Sequence, residues 1–211
     1  VMFTSIPLLF GYLINGHDLQ YHLLRIEGIK DGLLAGDFPI KIQSNWLCGN
    51  GYATAVFYGD LLLYIPAVLR LCGFSVVHSY NIYVFLCNAA TCTIAYFCFK
   101  GMSGRRRTAV VGAVLYTTSI YRLLDIYVRS SVGEYSAMTF LPMIAYGLWK
   151  IYNDECGAEN FRRSWIIPVL GFTGVINTHI LTCEMTAIYT ILLCLIFIKK
   201  TFQKERFIVL V

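Results

Sequence analysis

The sequence predicts an all-α protein, a polytopic transmembrane helical bundle, and three observations predict it. Of 211 residues, 57% are hydrophobic and only 14% charged, where an ordinary soluble domain carries roughly 25% charged residues. The mean hydropathy is +0.63, too apolar to cover a water-facing surface. The charges are also sorted. Strongly basic clusters alternate with mixed or acidic stretches between apolar runs, which is how membrane orientation is written into sequence. The net charge of +5 therefore points to membrane lipids and not to nucleic acid.

The apolar runs fall at about 2–14, 77–99, 108–121, 136–152, 164–177 and 180–198, with another starting at 207. A span needs about 20 residues, so the first and last runs read as cut, and the whole of 1–211 reads as one transmembrane domain fragment. Within it, 1–14 is a truncated first span, 15–76 an extracytoplasmic loop carrying in-plane helices, and 77–211 further spans, the last truncated. Lys100 with Arg105 to Arg107, Lys150 with Arg162 and Arg163, and Lys199, Lys200, Lys204 and Arg206 mark the cytoplasmic connections. The stretches Asn15 to Tyr58, Arg122 to Tyr135 and Asn177 to His179 fall on the opposite side. Leu61 to Phe74 is apolar but short and holds Pro66 and Arg70. It reads as an in-plane or re-entrant helix with Asp60 at its N-cap. The near-absence of a break between 164–177 and 180–198 predicts a tight outer hairpin. The eight cysteines form no CxxC pair; Cys72, Cys87, Cys92, Cys98, Cys183 and Cys194 lie in or beside apolar runs and act as small hydrophobes, while Cys48 and Cys156 fall on opposite sides and are not expected to pair.

In the first outer loop, Leu19, Leu23, Ile26, Ile29, Leu33 and Leu34 recur at helical spacing. Gly36 is the expected C-cap and Pro39 bars continuation. The pattern is that of an amphipathic helix lying along a membrane surface. Asp18, His22 and Arg25 follow i, i+4, i+7 spacing on one flank. For Asp18 two readings stand side by side, a helix cap and a chemical group. His22 reads as a packed histidine or a substrate contact, and Arg25 as a ligand for lipid phosphate or for substrate. The aromatics, amides and glycines between Lys41 and Tyr58 suit sugar binding and equally an interfacial belt.

The next outer stretch places Arg122, Asp125 and Arg129 at i, i+3, i+7. Two arginines so spaced could fork onto a phosphate or diphosphate, or anchor to lipid. Ser131-x-x-Glu134 before an apolar run has the form of a capping box, the alternative to a substrate role for Glu134. His179 sits in the tight hairpin, as a turn residue or a site residue. The expected sidedness brings Asp18, His22, Arg122, Arg129, Glu134 and His179 to one face.

Five segments carry a resemblance. They are Gly-His-Asp-x-x-x-His-x-x-Arg-Ile-Glu-Gly at 16–28, Asp-Phe-Pro-Ile-Lys-Ile at 37–42, Gly-Tyr-Ala-x-x-Val-Phe-Tyr-Gly-Asp at 51–60, Tyr-Arg-Leu-x-Asp-x-Tyr-Val-Arg-x-x-x-Gly-Glu-Tyr at 121–135, and Thr-His at 178–179. Together they resemble a family of bacterial multi-pass membrane proteins that carries the label "6-pyruvoyl-tetrahydropterin synthase-related". That family is similar to the GT-C integral membrane glycosyltransferases. The histidine cluster of soluble pterin synthases is missing here, so the label implies no pterin chemistry.

The GT-C resemblance implies a sugar donor on polyprenyl phosphate and an acceptor in the cell envelope. Asp18 would take the proton of the attacking hydroxyl. Arg122 and Arg129, with Lys41, would stabilise the departing lipid phosphate. Glu134 and His179 would orient donor or acceptor, and configuration would invert. The paired acids frequent in this loop are absent, since His17 precedes Asp18 and the next acid is Glu27. A cofactor, in particular a divalent metal, therefore stays open. A lipid or polymer transporter and a non-catalytic envelope assembly protein are the competing readings. Spans nearly free of charge count against the transporter.

Overall fold

The computed structural model describes residues 1–10, 15–156 and 161–210, and among them every regular element is helical. A single isolated bridge, Gln43 to Tyr52, is the one extended pairing among these residues. The helices are α1 (Met2–Ser5), α2 (Leu19–Ala35), α3 (Thr54–Phe57), α4 (Tyr64–Leu71), α5 (Val76–Ser103), α6 (Arg106–Thr117), α7 (Ile120–Leu124), α8 (Val132–Ala137), α9 (Leu141–Asn153), α10 (Ile166–Ile176), α11 (Ile180–Ile196), α12 (Ile198–Thr201) and α13 (Lys204–Leu210). The expected first span over 2–14 lies partly outside the described residues. Its described part is α1 followed by a 3-10 turn, Ile6–Leu9.

The long helix α5 forms the spine. Ser75 caps its start by accepting the His78 amide at 3.2 Å, and Gly104 ends it in the left-handed region at φ 67°. Its 28 residues rise about 42 Å, and it is long and apolar enough to cross a membrane alone. The run over 108–121 is instead split into α6 and α7, bent by 40°; counted as one span, the pair would make a second crossing. At the bend Thr117 and Thr118 turn their hydroxyls back onto the carbonyls of Ala113 and Val114, a bond that favours bending. The remaining apolar runs give shorter helices, α9 with Pro142 near its start, α10 and α11. The helices α9 and α10 pack closely because a methyl at Gly147 would collide with Pro168, and one at Gly171 with Ile144.

The helix α2 ends at Gly36 as its sequence dictates, with φ 87°. It does not lie free along a surface, however. Leu19, Ile26 and Ile29 are buried in a core shared with Leu63, Ala67, Tyr83 and Val84 of α4, α5 and the turn before α4. Leu34, the outlying member of the stripe, stays exposed. The Arg70 guanidinium of α4 clamps Glu27 of α2, with Nε to Oε1 at 2.5 Å. The apolar segment Leu61–Leu71 is thus 11 residues laid against α2, about 16 Å long and far short of a span. All eight cysteines are free.

Two of the expected caps occupy the right positions without making the bond. Asp18 stands at the N-cap of α2, and Asp60 before the Leu61–Leu63 turn, yet neither side chain accepts a cap hydrogen bond. Ser131 likewise starts α8 without capping it. Glu134, which a capping box would turn back toward the Ser131 backbone, is drawn away by Arg129 and Tyr121.

Candidate functional site

The site is assembled where the start of α2 crosses the chain after α7. The Asp18 amide donates to the Arg129 carbonyl at 2.9 Å, and the His17 amide to the Val128 carbonyl at 3.3 Å. The approach is close enough that a methyl at Gly16 would strike Ser130. The segment so pinned, Asp125–Arg129, is a π-helical turn, a local widening often found at functional sites.

That turn decides which arginine joins the site. Arg129 Nη1 lies 2.6 Å from Asp125 Oδ1 and 2.9 Å from Glu134 Oε2. Glu134 Oε1 also accepts from the Tyr121 hydroxyl, and Glu134 Oε2 lies 3.4 Å from the Ser131 hydroxyl. Arg122 does not share this face. It is fully buried and points into the helix packing, donating to Asn88 Oδ1 at 2.6 Å and Thr91 Oγ1 at 3.0 Å. The i, i+3, i+7 spacing that united Arg122 with Arg129 assumes a regular α-helix, and the widened turn between them removes that premise.

A second layer surrounds Tyr58, which spacing arguments did not single out. The Arg25 guanidinium stacks 4.7 Å from the Tyr58 ring centre and donates to the carbonyls of Tyr58 at 3.1 Å and Gly59 at 3.0 Å. Arg25 is fully buried; both carbonyl bonds come from its Nη2, which holds the loop, while its buried Nε makes no hydrogen bond. His22 is 1% exposed, with Nδ1 3.4 Å from Arg25 Nη1. Burial, reinforced by the neighbouring cation, pushes its pKa down to about 3, so the imidazole is neutral. The rings of His22 and His179 lie 5.6 and 5.8 Å from that of Tyr58. Burial pushes the Tyr58 phenol up, opposed by Arg25.

His179 also caps α11, its Nδ1 accepting from the Thr182 amide at 3.3 Å. That bond leaves the ring proton of the neutral form on Nε2. Burial lowers the His179 pKa; Glu134 opposes this and Arg129 adds to it, so both charges are felt at the imidazole. The loops interlock without slack. A methyl on Gly59 would strike the Asn177 carbonyl, and one on Gly133 would strike Tyr58 and the Thr178 carbonyl.

Of the residues read from the sequence, Asp18, His22, Arg25 and His179 gather around Tyr58, Arg129 and Glu134 pair with each other and are felt at His179, and Arg122 joins neither group. The Asp18 side chain is exposed, and its charge is felt by both Tyr21 and Tyr58. Lys41 is exposed in the loop. Among the described residues no three His, Cys, Asp or Glu side chains are grouped to hold a metal ion. From Glu134 and Tyr121 an apolar groove of about 520 Å³ runs between α9 and α11, past Met138, Leu141, Met185 and Tyr189.

No family model and no solved structure matches the chain. It is similar to a protein of Lactococcus lactis subsp. cremoris (strain MG1363) described as an "uncharacterized protein", at 23% identity over 208 residues. That match covers 96% of this chain and 33% of the relative, so the chain spans about a third of the length of the protein it resembles.

Proposed function

We propose that the chain belongs to a polytopic bundle in the cell membrane and acts as a GT-C-like glycosyltransferase. It transfers a sugar from a polyprenyl-phosphate donor to an envelope acceptor on the extracytoplasmic face, with inversion. One observation carries this reading: the first-loop acid, Asp18, is hydrogen-bonded through its backbone to Arg129, beside the polar mouth of an apolar groove. Sidedness has support as well. Two of the three basic connections meet each other, Lys200 donating to the Tyr152 carbonyl and Arg206 to those of Ile151 and Asp154.

In this reading the polyprenyl tail lies between α9 and α11, whose facing side chains are apolar. The lipid phosphate reaches Arg129, whose guanidinium offsets the charge that grows on the departing oxygen. His179 Nε2–H supplies a neutral donor at the same place. Asp18 accepts the proton of the acceptor hydroxyl as that oxygen attacks the anomeric carbon from the opposite side. Arg25 and His22 act through Tyr58, whose ring they fix, and Arg122 serves the fold.

The test is Asp18→Asn in the full-length protein, with radiolabelled sugar transfer from a polyprenyl-phosphate donor as the readout. Transfer should fall at least a hundredfold while donor binding persists. Transfer at the wild-type rate removes Asp18 as the base.

A further inference from the structure

We infer that Tyr21, Trp46 and Tyr52 form a carbohydrate-stacking shelf that leads an acceptor glycan to Asp18. The inference rests on the transferase reading for the purpose of the shelf, but not for its ability to bind saccharide.

The observation behind it is a continuous line of rings. Tyr52 to Trp46 is 5.6 Å between centres, Trp46 to Tyr21 5.5 Å, Tyr21 to Tyr58 6.1 Å and Tyr58 to His179 5.8 Å. The line starts at the exposed loop and ends at the mouth of the groove. Rings placed only to fill a core are covered, as Tyr83 and Tyr135 are at 1% and 0% exposure. Here Tyr52 is 39% exposed, and Tyr21 and Trp46 are half-buried.

The loop that carries them is built to hold them still. Gln43 and Tyr52 exchange two backbone hydrogen bonds at 3.0 and 3.1 Å. The Trp46 carbonyl accepts from Gly49 and Gly51, both at 3.1 Å, and the Trp46 indole donates to Gln43 Oε1 at 2.8 Å. Gln43 is buried, and its amide reaches the Arg25 carbonyl of α2 at 3.4 Å. A methyl on Gly28 would strike that same Gln43 side chain, so the loop docks where α2 has no side chain. Leu47 and Cys48 both hold left-handed backbone, at φ 55° and 57°. For non-glycine residues this costs roughly 1–2 kcal/mol each. Such strain persists where the surrounding structure over-determines it, and here what it fixes is the presentation of Trp46 and Tyr52.

The chemistry of such a shelf is that of a sugar polymer. Pyranose rings present C–H faces that pack on aromatic faces, and hydroxyl edges that need hydrogen-bond partners. Rigid aromatic side chains give large contact at little entropic cost. Acceptors for the hydroxyls stand beside the rings: the exposed Asp18 carboxylate, and Asp31 with Asn45, bonded to each other at 2.6 Å. A proline-rich peptide would use the rings but not the acids. Neighbouring rings are inclined to one another, at 50° between Tyr52 and Trp46 and 73° between Trp46 and Tyr21, so each offers its own contact to a separate sugar unit of a chain.

The experiment uses the full-length protein in nanodiscs and fluorescein-labelled linear di- and tetrasaccharides of glucose, rhamnose and N-acetylglucosamine. At least one series should bind, the tetrasaccharide more tightly than the disaccharide. Trp46→Leu and Tyr21→Leu should each raise its Kd at least tenfold, while Trp46→Phe, which keeps an aromatic face, stays within threefold. Equal unfolding temperatures of the variants establish that the loss is not misfolding. Wild-type protein that binds saccharide but transfers no sugar from a polyprenyl-phosphate donor sinks the transferase reading and spares the shelf. The inference is overturned if no saccharide binds above empty nanodiscs, or if Trp46→Leu binds like wild type. Displacement of the saccharide by a proline-rich peptide, or quenching of Trp46 by brominated lipid as in a bilayer belt, overturns it equally.

Discussion

Replacing Arg25 by Met is the sharpest test of how the site is held. Met keeps much of the buried aliphatic stem and removes the guanidinium. Two charge-assisted bonds to the Tyr58 and Gly59 carbonyls are lost, at 3.1 and 3.0 Å, each worth roughly 1.5–3 kcal/mol. The stacking on Tyr58 at 4.7 Å adds about 2 kcal/mol for a desolvated cation. Against these stands the cost of keeping a cation dry, several kcal/mol, which the variant no longer bears. The buried polar partners left behind also count, Asp60 among them, whose carboxyl is pushed up by burial and pulled down by Arg25. The net expected loss is about 3–5 kcal/mol, the usual result of removing one side of a buried charged arrangement. Chemical denaturation of the purified protein measures it. Hydrogen exchange should rise over residues 54–60, because Gly59 is no longer pressed against Asn177, while α9 and α10 keep their protection. A loss below about 1 kcal/mol, or an unchanged exchange rate in that loop, refutes the clamp.

Four further outcomes follow from the same geometry. His22 is neutral in the fold with its pKa at about 3, against about 6.5 when unfolded. Its contribution is therefore complete above pH 6.5 and is lost as pH falls toward 3, roughly 2 kcal/mol by pH 5; denaturation at pH 7.5 and pH 5 measures this, and His22→Gln should flatten the difference. Arg122→Met strands Asn88 and Thr91 inside the helix packing and should cost about 2–4 kcal/mol, with transfer falling only in step with folded protein. Arg129→Lys keeps a cation beside Asp125 and should cost less than about 1 kcal/mol, yet lower transfer at least tenfold as the forked geometry is lost. Glu134→Gln removes one of two carboxylates on Arg129 and should tighten binding of polyprenyl phosphate several-fold; weaker binding would make Glu134 a ligand of the lipid and not a rival for Arg129.

What the sequence showed plainly was local and periodic. The stripe from Leu19 to Leu33 and Gly36 fixed α2, the apolar run after Ser75 fixed α5, and the Asn177–His179 break fixed the hairpin between α10 and α11. Readings that depended on a neighbour remote in sequence fared differently. The cap rules located Asp18 and Ser131 at helix starts, yet Arg129 and Tyr121 outcompete the local backbone for Glu134, and Asp18 is held through its amide. The shared face of Arg122 and Arg129 needed a regular helix, and nothing in Asp125–Arg129 announced a π-helical turn. Tyr58 was invisible as a centre because its neighbours come from α2, the Thr178–His179 hairpin and the start of α8. Its own segment holds only the glycine that this crowding requires, Gly59.

The charge balance around Arg129 bears on how an anion could enter. At rest its guanidinium faces two carboxylates, Asp125 and Glu134, so the site already holds one negative charge more than it neutralises. A phosphate arriving on top of both would meet repulsion. One carboxylate must yield, and the two are not equivalent. The Asp125 side chain is fully buried on the π-helical turn, whereas that of Glu134 is 17% exposed and lines the groove. Glu134 also has other partners within reach, the hydroxyls of Tyr121 and Ser131. It can therefore leave Arg129 without being stranded, and Asp125 cannot. In the transferase reading Glu134 then occupies the anion's place until the lipid comes. A free anion must displace it by charge alone, while an anion with a polyprenyl tail adds the burial of that tail along α9 and α11. Selectivity for a lipid-linked phosphate over a soluble one then comes from requiring both at once.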